Sequence, residues 1–223
     1  MSTLRLTQAL VDRLPKSVEE EGPIRASSPH PEFYNDTAAQ ILSELQHPDE
    51  LWVFAVGSLI WNPRFEVAER RKALVKGWSR SFCMGPMLRF RGSPSAPGRM
   101  LSLDRGGECY GIVMRMVPQN MHAALADLLS KEPPLPPVWV DAVTDQGMVK
   151  AIAFAMDPGF SMYSPEPPIE ELADLLATAV GTKGTMAEYL LTTVTLLQEA
   201  GLYDPHLWTL QDMVAARLEA LPG

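Results

Sequence analysis

The chain has 223 residues, 46% of them hydrophobic and 21% charged, and a formal net charge of −8. That is ordinary globular material, enough for a real core. An acidic surface repels phosphate backbones and anionic headgroups, which argues against nucleic acid and against a membrane as partners.

Met1-Ser2-Thr3-Leu4-Arg5 begins no apolar run of signal-peptide length. No stretch approaches the roughly 20 apolar residues that a bilayer span needs. Leu6, Leu10 and Leu14 recur at helical spacing over Thr3 to Leu14, and Pro15 ends the pattern. Lys16 to Pro31 is polar, with Gly22, Pro23, Pro29 and Pro31, and reads as a loose connection. Asp36 or Thr37 can cap a short helix running to Leu45 and packing through Ile41, Leu42 and Leu45.

The texture then changes. Leu51 to Val56 is a short continuous apolar run ending at Gly57-Ser58, the pattern of a strand buried on both faces and closed by a tight turn. Further strands are expected at Lys72–Met84, Arg99–Asp104, Glu108–Met116, Val138–Thr144 and Met148–Met156. The last two flank Asp145-Gln146-Gly147, a hairpin turn. Pro118 to Ser130 carries Met121, Leu125, Leu128 and Leu129 on one helical side. The final third predicts helices over Ile169–Val180, Met186–Ala200 and Pro205–Leu221, with Gly181 and Gly201 as C-terminal caps. These elements sum to an α+β domain whose mixed, barrel-like sheet carries helices at both ends of the chain.

Cys83 and Cys109 sit in apolar, strand-like sequence. They read as reduced core thiols of a cytosolic protein; a nucleophilic role would want a histidine in a motif nearby, and none is there. His30, His47, His122 and His206 are scattered without metal-site spacing, so no metal is expected.

Three places could carry chemistry. After the buried strand, Val56-Gly57-Ser58-Leu59 could turn its successive amides toward an anion, or could simply be a turn. Lys131-Glu132 lies between an apolar helix and Pro133-Pro134-Leu135-Pro136-Pro137. A carboxylate held there would be raised in pKa if it faced a cavity, and is a solvated helix end otherwise. Arg91 and Arg99 bracket a Gly/Pro/Ser loop, a carboxylate clamp or a solvated loop with charged ends.

Read in order, these segments resemble one family. Trp52 to Pro63, with Gly57-Ser58-Leu59-Ile60-Trp61-Asn62-Pro63, is similar to the opening block of ChaC-like γ-glutamylcyclotransferases. Gly77-Trp78-Ser79-Arg80-Ser81-Phe82-Cys83, Arg91-Gly92-Ser93-Pro94, Pro97-Gly98-Arg99 and Gly106-Gly107-Glu108-Cys109-Tyr110-Gly111 follow like its later blocks. Tyr163, Gly181, Gly184, Glu188-Tyr189-Leu190 and Asp204-Pro205-His206-Leu207 fit its helical end, and Leu6 to Leu10 with Glu21-Gly22-Pro23 resemble its bacterial members.

The resemblance implies a small mixed β-barrel flanked by N- and C-terminal helices, with residues 1–50 as a helical extension and 51–223 as one structural unit. It implies a cytoplasmic enzyme that needs no cofactor or metal and cleaves glutathione to 5-oxoproline and cysteinylglycine. Glu132 is then the general base and acid, and Val56, Gly57, Ser58, Leu59, Arg91 and Arg99 bind substrate; oligomeric state is left open. Three positions depart from the family: Val56 for tyrosine, Lys131 for arginine, and the Pro133–Pro137 run where a Gly and a Tyr are usual. They keep two other readings in view, the same chemistry on another γ-glutamyl amino acid or amine, and a non-catalytic γ-glutamyl-binding regulatory protein.

Overall fold

The computed structural model describes residues 3–23 and 29–222. In chain order it contains α1 (Gln8–Val11), α2 (Pro31–Ser43), β1 (Trp52–Ala55), a 3-10 turn (Ser58–Ile60), β2 (Val67–Met87), β3 (Gly98–Met116), α3 (Met121–Lys131), β4 (Val138–Thr144) and β5 (Gly147–Ala153). There follow α4 (Ile169–Thr178), β6 (Val180–Gly181), β7 (Gly184–Thr185), α5 (Met186–Glu199) and α6 (Pro205–Glu219). Five strands close a barrel in the order β1-β3-β2-β4-β5. Because β1 runs antiparallel to β3 but parallel to β5, the sheet is mixed, as the sequence predicts.

The chain divides into two compact units: Met1–Arg25, Ser81–Leu101 and Pro158–Gly223 in one, Ala26–Arg80 and Ser102–Asp157 in the other. In the second, all four residues of β1 are buried. Its neighbours make room for them. Phe54 lies opposite Val113 on β3 and Ala153 on β5. At Gly111 a Cβ would stand 2.7 Å from the Ala55 carbonyl oxygen and 2.7 Å from the Phe54 ring, so the close approach of β1 and β3 requires glycine there. Trp52, Phe54, Ala73, Val75, Leu103, Val113, Val140, Ala142, Ala151 and Ala153 form the core inside the barrel.

β2 starts five residues before the expected Lys72. Its opening, Val67 to Lys72, alternates between half-buried and exposed residues with a strand's period of two. The charges have specific places: the Arg71 and Arg115 guanidinia stack on Trp52 at 4.5 and 5.9 Å, and Glu69 bridges both. β3 joins the two strands expected at 99–104 and 108–116. Gly106 and Gly107, at φ 96° and 71°, bend the strand without ending it. β4 and β5 pair from Val138–Ala153 to Thr144–Gly147 around the expected hairpin.

Helix α2 begins at Pro31, in the first-turn position proline favours, rather than at Asp36 or Thr37. The Thr37 hydroxyl instead donates to the Phe33 carbonyl within the helix. The expected connection 16–31 is free of helix and strand through residue 23, while residues 24–28, like Met1 and Ser2, lie outside the described residues.

In the first unit the helix expected over 3–14 is a single turn, capped by the Thr7 side chain. Leu6 is buried all the same, and the Arg5 and Leu6 amides both donate to the buried Gln211 side chain at 3.0 and 2.9 Å. Thr185 and Asp204 cap α5 and α6. Gly201, at φ 66°, ends α5 as expected, its amide donating to Gln198 and that of Leu202 to Leu197. Gly181 is no cap: α4 ends with extended Ala179, and Gly181 lies in β6, where a Cβ would fall 2.2 Å from the Phe90 carbonyl oxygen.

The Gly111 contact gives a direct test. Gly111→Ala is expected to lose roughly 1–3 kcal/mol of stability, the usual cost of forcing atoms into a filled interior. Urea unfolding reads it, and an unchanged midpoint would mean that β1 and β3 can separate freely.

Candidate active site

β1 ends where the sheet can no longer pair it, and the chain folds over into the 3-10 turn. Inside the turn, the Ile60 amide donates to Gly57 O at 2.9 Å, and the Trp61 and Asn62 amides donate to Ser58 O at 3.2 and 2.8 Å. The amides of Gly57, Ser58 and Leu59 have no acceptor among the described residues. Three successive amides in this condition suit an anion. Two arginines of β2 hold the turn from its carbonyl side. Arg80, buried, donates from Nε to Val56 O at 2.7 Å and from Nη2 to Tyr110 O at 2.6 Å. Arg70 donates from Nη1 to Ile60 O at 2.9 Å.

Glu132 ends α3. Its extended backbone, φ −99° and ψ 169°, is the conformation a following proline imposes, and Pro133-Pro134 prevents the helix from continuing. The residue is half-buried, and its carboxyl has no hydrogen-bond partner or ion pair among the described residues. Burial pushes that carboxyl up to about 7, with the Arg64 guanidinium pulling the other way. Arg64 is exposed in the loop after Asn62-Pro63, at φ 60°, a conformation that costs a non-glycine residue about 1–2 kcal/mol. A carboxyl poised near neutrality without a committed partner can accept a proton and return it.

The seven expected site residues divide between the two units. Val56, Gly57, Ser58, Leu59 and Glu132 belong to the unit containing β1; Arg91 and Arg99 belong to the other. There Arg91 donates to Glu188 at 2.7 Å and to Thr185 O at 2.9 Å. Arg99 donates to Phe82 O, Ser164 O, Pro165 O and the Ser164 hydroxyl, at 2.8 to 3.1 Å. Both arginines thus serve protein acceptors. Arg64, Arg70 and Arg80 were not singled out from sequence. Arg80 left the clearest signal, since an arginine beside the apolar Phe82-Cys83-Met84 must find buried acceptors.

A second titratable cluster lies in the helical unit. Glu166 accepts from the Phe82 amide at 2.6 Å and the Ser81 hydroxyl at 3.2 Å, and faces His206 Nε2 at 2.7 Å. Burial works to raise the Glu166 carboxyl, but His206 and these donors outweigh it and hold it below its ordinary 4.5. Glu166 in turn raises His206 above its ordinary 6.5, against burial. The carboxylate stands between serine and histidine, so the serine is not activated as a nucleophile. A groove of about 240 Å³ in the same unit, lined by Gln8, Asp12, Lys16, Thr185 and Glu188 among others, contains none of the expected site residues.

A family model described as "ChaC-like protein" matches residues 51–217. The glutathione-specific gamma-glutamylcyclotransferase of Escherichia coli (strain K12) is 36% identical over 166 residues, 72% of this chain and 71% of its own length. Glutathione-specific gamma-glutamylcyclotransferase 1 of Rattus norvegicus is 31% identical over 203 residues, 86% of this chain and 90% of its own. A crystal structure of a yeast γ-glutamylcyclotransferase specific to glutathione superposes with a TM-score of 0.67 at 17% identity. It covers 75% of this chain and 96% of that one, a likeness of fold.

Two measurements test the electrostatics without reference to activity. In a carbon-13 NMR titration the Glu132 carboxyl is expected to change charge near 7, and in Arg64→Ala at a higher pH, because the guanidinium that favours its ionised form is gone. A midpoint in the ordinary carboxylate range would contradict the burial described. For the second cluster, a raised His206 stabilises the fold fully below 6.5 and loses that contribution as pH rises through its folded value. A lowered Glu166 contributes above 4.5 and loses it as pH falls through its own. The stability difference between wild type and His206→Gln is therefore expected to be largest between those two values and to shrink toward pH 9. A difference independent of pH would remove the ion pair as its source.

Proposed function

The chain belongs to the ChaC-like protein family, and on that premise we propose that it is a γ-glutamylcyclotransferase that cleaves glutathione to 5-oxoproline and cysteinylglycine, with Glu132 as its acid–base residue. The observation that carries the reading is the Glu132 carboxyl itself at the proline-flanked end of α3, half-buried, without a partner among the described residues, and raised by burial to about 7.

The substrate's α-nitrogen enters as an ammonium, which has no lone pair to attack with. Glu132 takes one proton from it. The freed amine then closes on its own γ-carbonyl carbon, forming a carbon–nitrogen bond and placing negative charge on the carbonyl oxygen. As the intermediate collapses, the attacking nitrogen sheds its second excess proton and the bond to the cysteine nitrogen breaks. Both protons reach the departing amine, carried by the same carboxyl. The reaction is intramolecular, so the protein need only fold the glutamyl chain and manage protons. The amides of Gly57, Ser58 and Leu59 hold the anionic end of the glutamyl group or the developing oxyanion, with Val56, packed in the core, as the residue from which the turn starts. Arg91 and Arg99 frame the intervening loop through the protein acceptors they already engage. The reading carries with it a cytoplasmic setting, in keeping with the free buried thiols of Cys83 and Cys109.

A second reading rests on Val56, where the family carries a tyrosine. A pocket lacking that hydroxyl suits a different leaving amine, and the substrate would then be another γ-glutamyl amino acid or amine.

Incubation with glutathione, followed by mass spectrometry of 5-oxoproline and cysteinylglycine, tests the first reading. Wild-type kcat/KM is expected to rise with pH through about 7, because the base must be ionised to accept the ammonium proton. Glu132→Gln is expected to lose about 10²–10⁴-fold. Turnover confined to other γ-glutamyl compounds would select the second reading, and full activity in Glu132→Gln would remove Glu132 from the chemistry.

A further inference from the structure

We propose that Arg80 and Arg70 are positioning residues for the Gly57–Leu59 amides, acting through the peptide groups of the turn and never touching the substrate. The inference rests on the γ-glutamylcyclotransferase reading above.

A carbonyl and the N–H of the next residue belong to one conjugated peptide group. A hydrogen bond accepted at the oxygen draws electron density away from the nitrogen and makes that N–H a stronger donor. Each of the three unpartnered amides has such support. Gly57 N–H shares its peptide group with Val56 O, which accepts from Arg80 Nε at 2.7 Å. Ser58 N–H shares one with Gly57 O, which accepts from the Ile60 amide at 2.9 Å. Leu59 N–H shares one with Ser58 O, which accepts from the Trp61 and Asn62 amides. The Trp61 amide shares its own peptide group with Ile60 O, and that oxygen accepts from Arg70 at 2.9 Å.

Two relays therefore start at β2. One runs in a single step from Arg80 to Gly57 N–H. The other runs in two steps, from Arg70 through the Trp61 peptide to Leu59 N–H. Only Ser58 N–H is supported by the turn's own backbone alone. The cations enter at the carbonyl side, so positive charge is delivered to the donors without occupying the space a ligand needs. A charge-assisted bond is roughly twice as strong as a neutral one, which favours a guanidinium over a further backbone amide at these points.

Arg80 is also fixed in angle. Its Nε and Nη2 grip Val56 O and Tyr110 O, so the end of β1 and the neighbouring strand are set by one rigid plane. A lysine has no such fork and could serve one carbonyl at most. Arg70 is exposed, and its replacement leaves the core untouched.

The experiment combines kinetics with amide NMR on the full chain. Loss of a whole oxyanion-hole donor costs about 10²–10³-fold. Weakening one is expected to lower kcat/KM for glutathione by about tenfold in folded Arg80→Lys, and by a smaller factor in Arg70→Ala. The pH limb belonging to Glu132 stays where it is in both. In nitrogen-15 spectra Arg80→Lys moves Gly57 upfield, Arg70→Ala moves Leu59 upfield, and Ser58 holds its position in each.

Folded Arg80→Lys with wild-type kcat/KM would overturn the proposal, as would a displaced Glu132 limb, which would route the effect through the base. Should Arg80→Lys not fold, Arg70→Ala decides: unchanged kinetics and an unmoved Leu59 resonance reject the relay. If wild type turns over no γ-glutamyl compound, the functional reading fails by itself, and the Gly57, Ser58 and Leu59 shift pattern still accepts or rejects the relays.

Discussion

Strand β1 has no exposed face. Trp52, Val53, Phe54 and Ala55 are all buried, with β3 on one edge and β5 on the other. Everything around them answers to that placement. Two of the paired β5 residues are alanines, Ala151 and Ala153, because the large side chains come from β1. Gly111 has no Cβ because Phe54 and the Ala55 carbonyl occupy its place. The Trp52 ring carries two guanidinia, Arg71 of β2 and Arg115 of β3, which gives the charged opening of β2 a role in the sheet. A strand enclosed in this way stops abruptly, and at its end the Val56 carbonyl would be left unpaired were Arg80 not there to meet it.

The same unit supports its two candidate functional features by opposite means. The turn after β1 is saturated on its carbonyl side and open on its amide side, so it is a rigid set of donors. Among the described residues Glu132 has no partner on either oxygen, so its proton affinity is governed by burial and by Arg64. A carboxylate bonded to several donors, as Glu166 is, falls in pKa and holds a fixed charge. Glu166 consequently anchors Ser81 and Phe82, while Glu132 remains free to exchange a proton. Two glutamates on one chain are thus set apart in proton affinity by how many hydrogen bonds each receives.

Much of this fold was legible because its periods were clean. The apolar run of β1, the β4–β5 hairpin and the stripe of Met121, Leu125, Leu128 and Leu129 each follow from one rule of spacing. The misreadings share a cause. Glu69, Arg70 and Arg71 hide the start of β2, because residues that stack on Trp52 or grip a carbonyl look from sequence like a solvated surface. Gly106-Gly107 reads as the end of a strand, although two glycines can equally let one strand bend. Gly181 follows a helix and so resembles a cap, whereas its reason is the approach of the Phe90 carbonyl, a long-range contact that no local pattern records. At the candidate site, Glu132 stands out by resemblance and by its proline flank. Arg80 lies in a family-like block that assigns it no role, since only burial distinguishes an arginine that serves the backbone from one that serves solvent.

The departures from the family follow from this division of labour. Lys131 keeps its charge but pairs with the exposed Asp127 one turn back, so the change from arginine falls on a helix surface. The prolines after Glu132 fix its extended backbone, so the change in this segment holds the carboxyl's attachment point in place. Val56 is different, because its side chain packs into the core while its carbonyl is the first link of the Arg80 contact. A substitution there changes the packing beneath the turn and leaves the amide donors alone, since the donors depend on backbone groups and on β2. That separation is physical: the side chain packs into the core, and the peptide groups, held from behind, carry the positive charge.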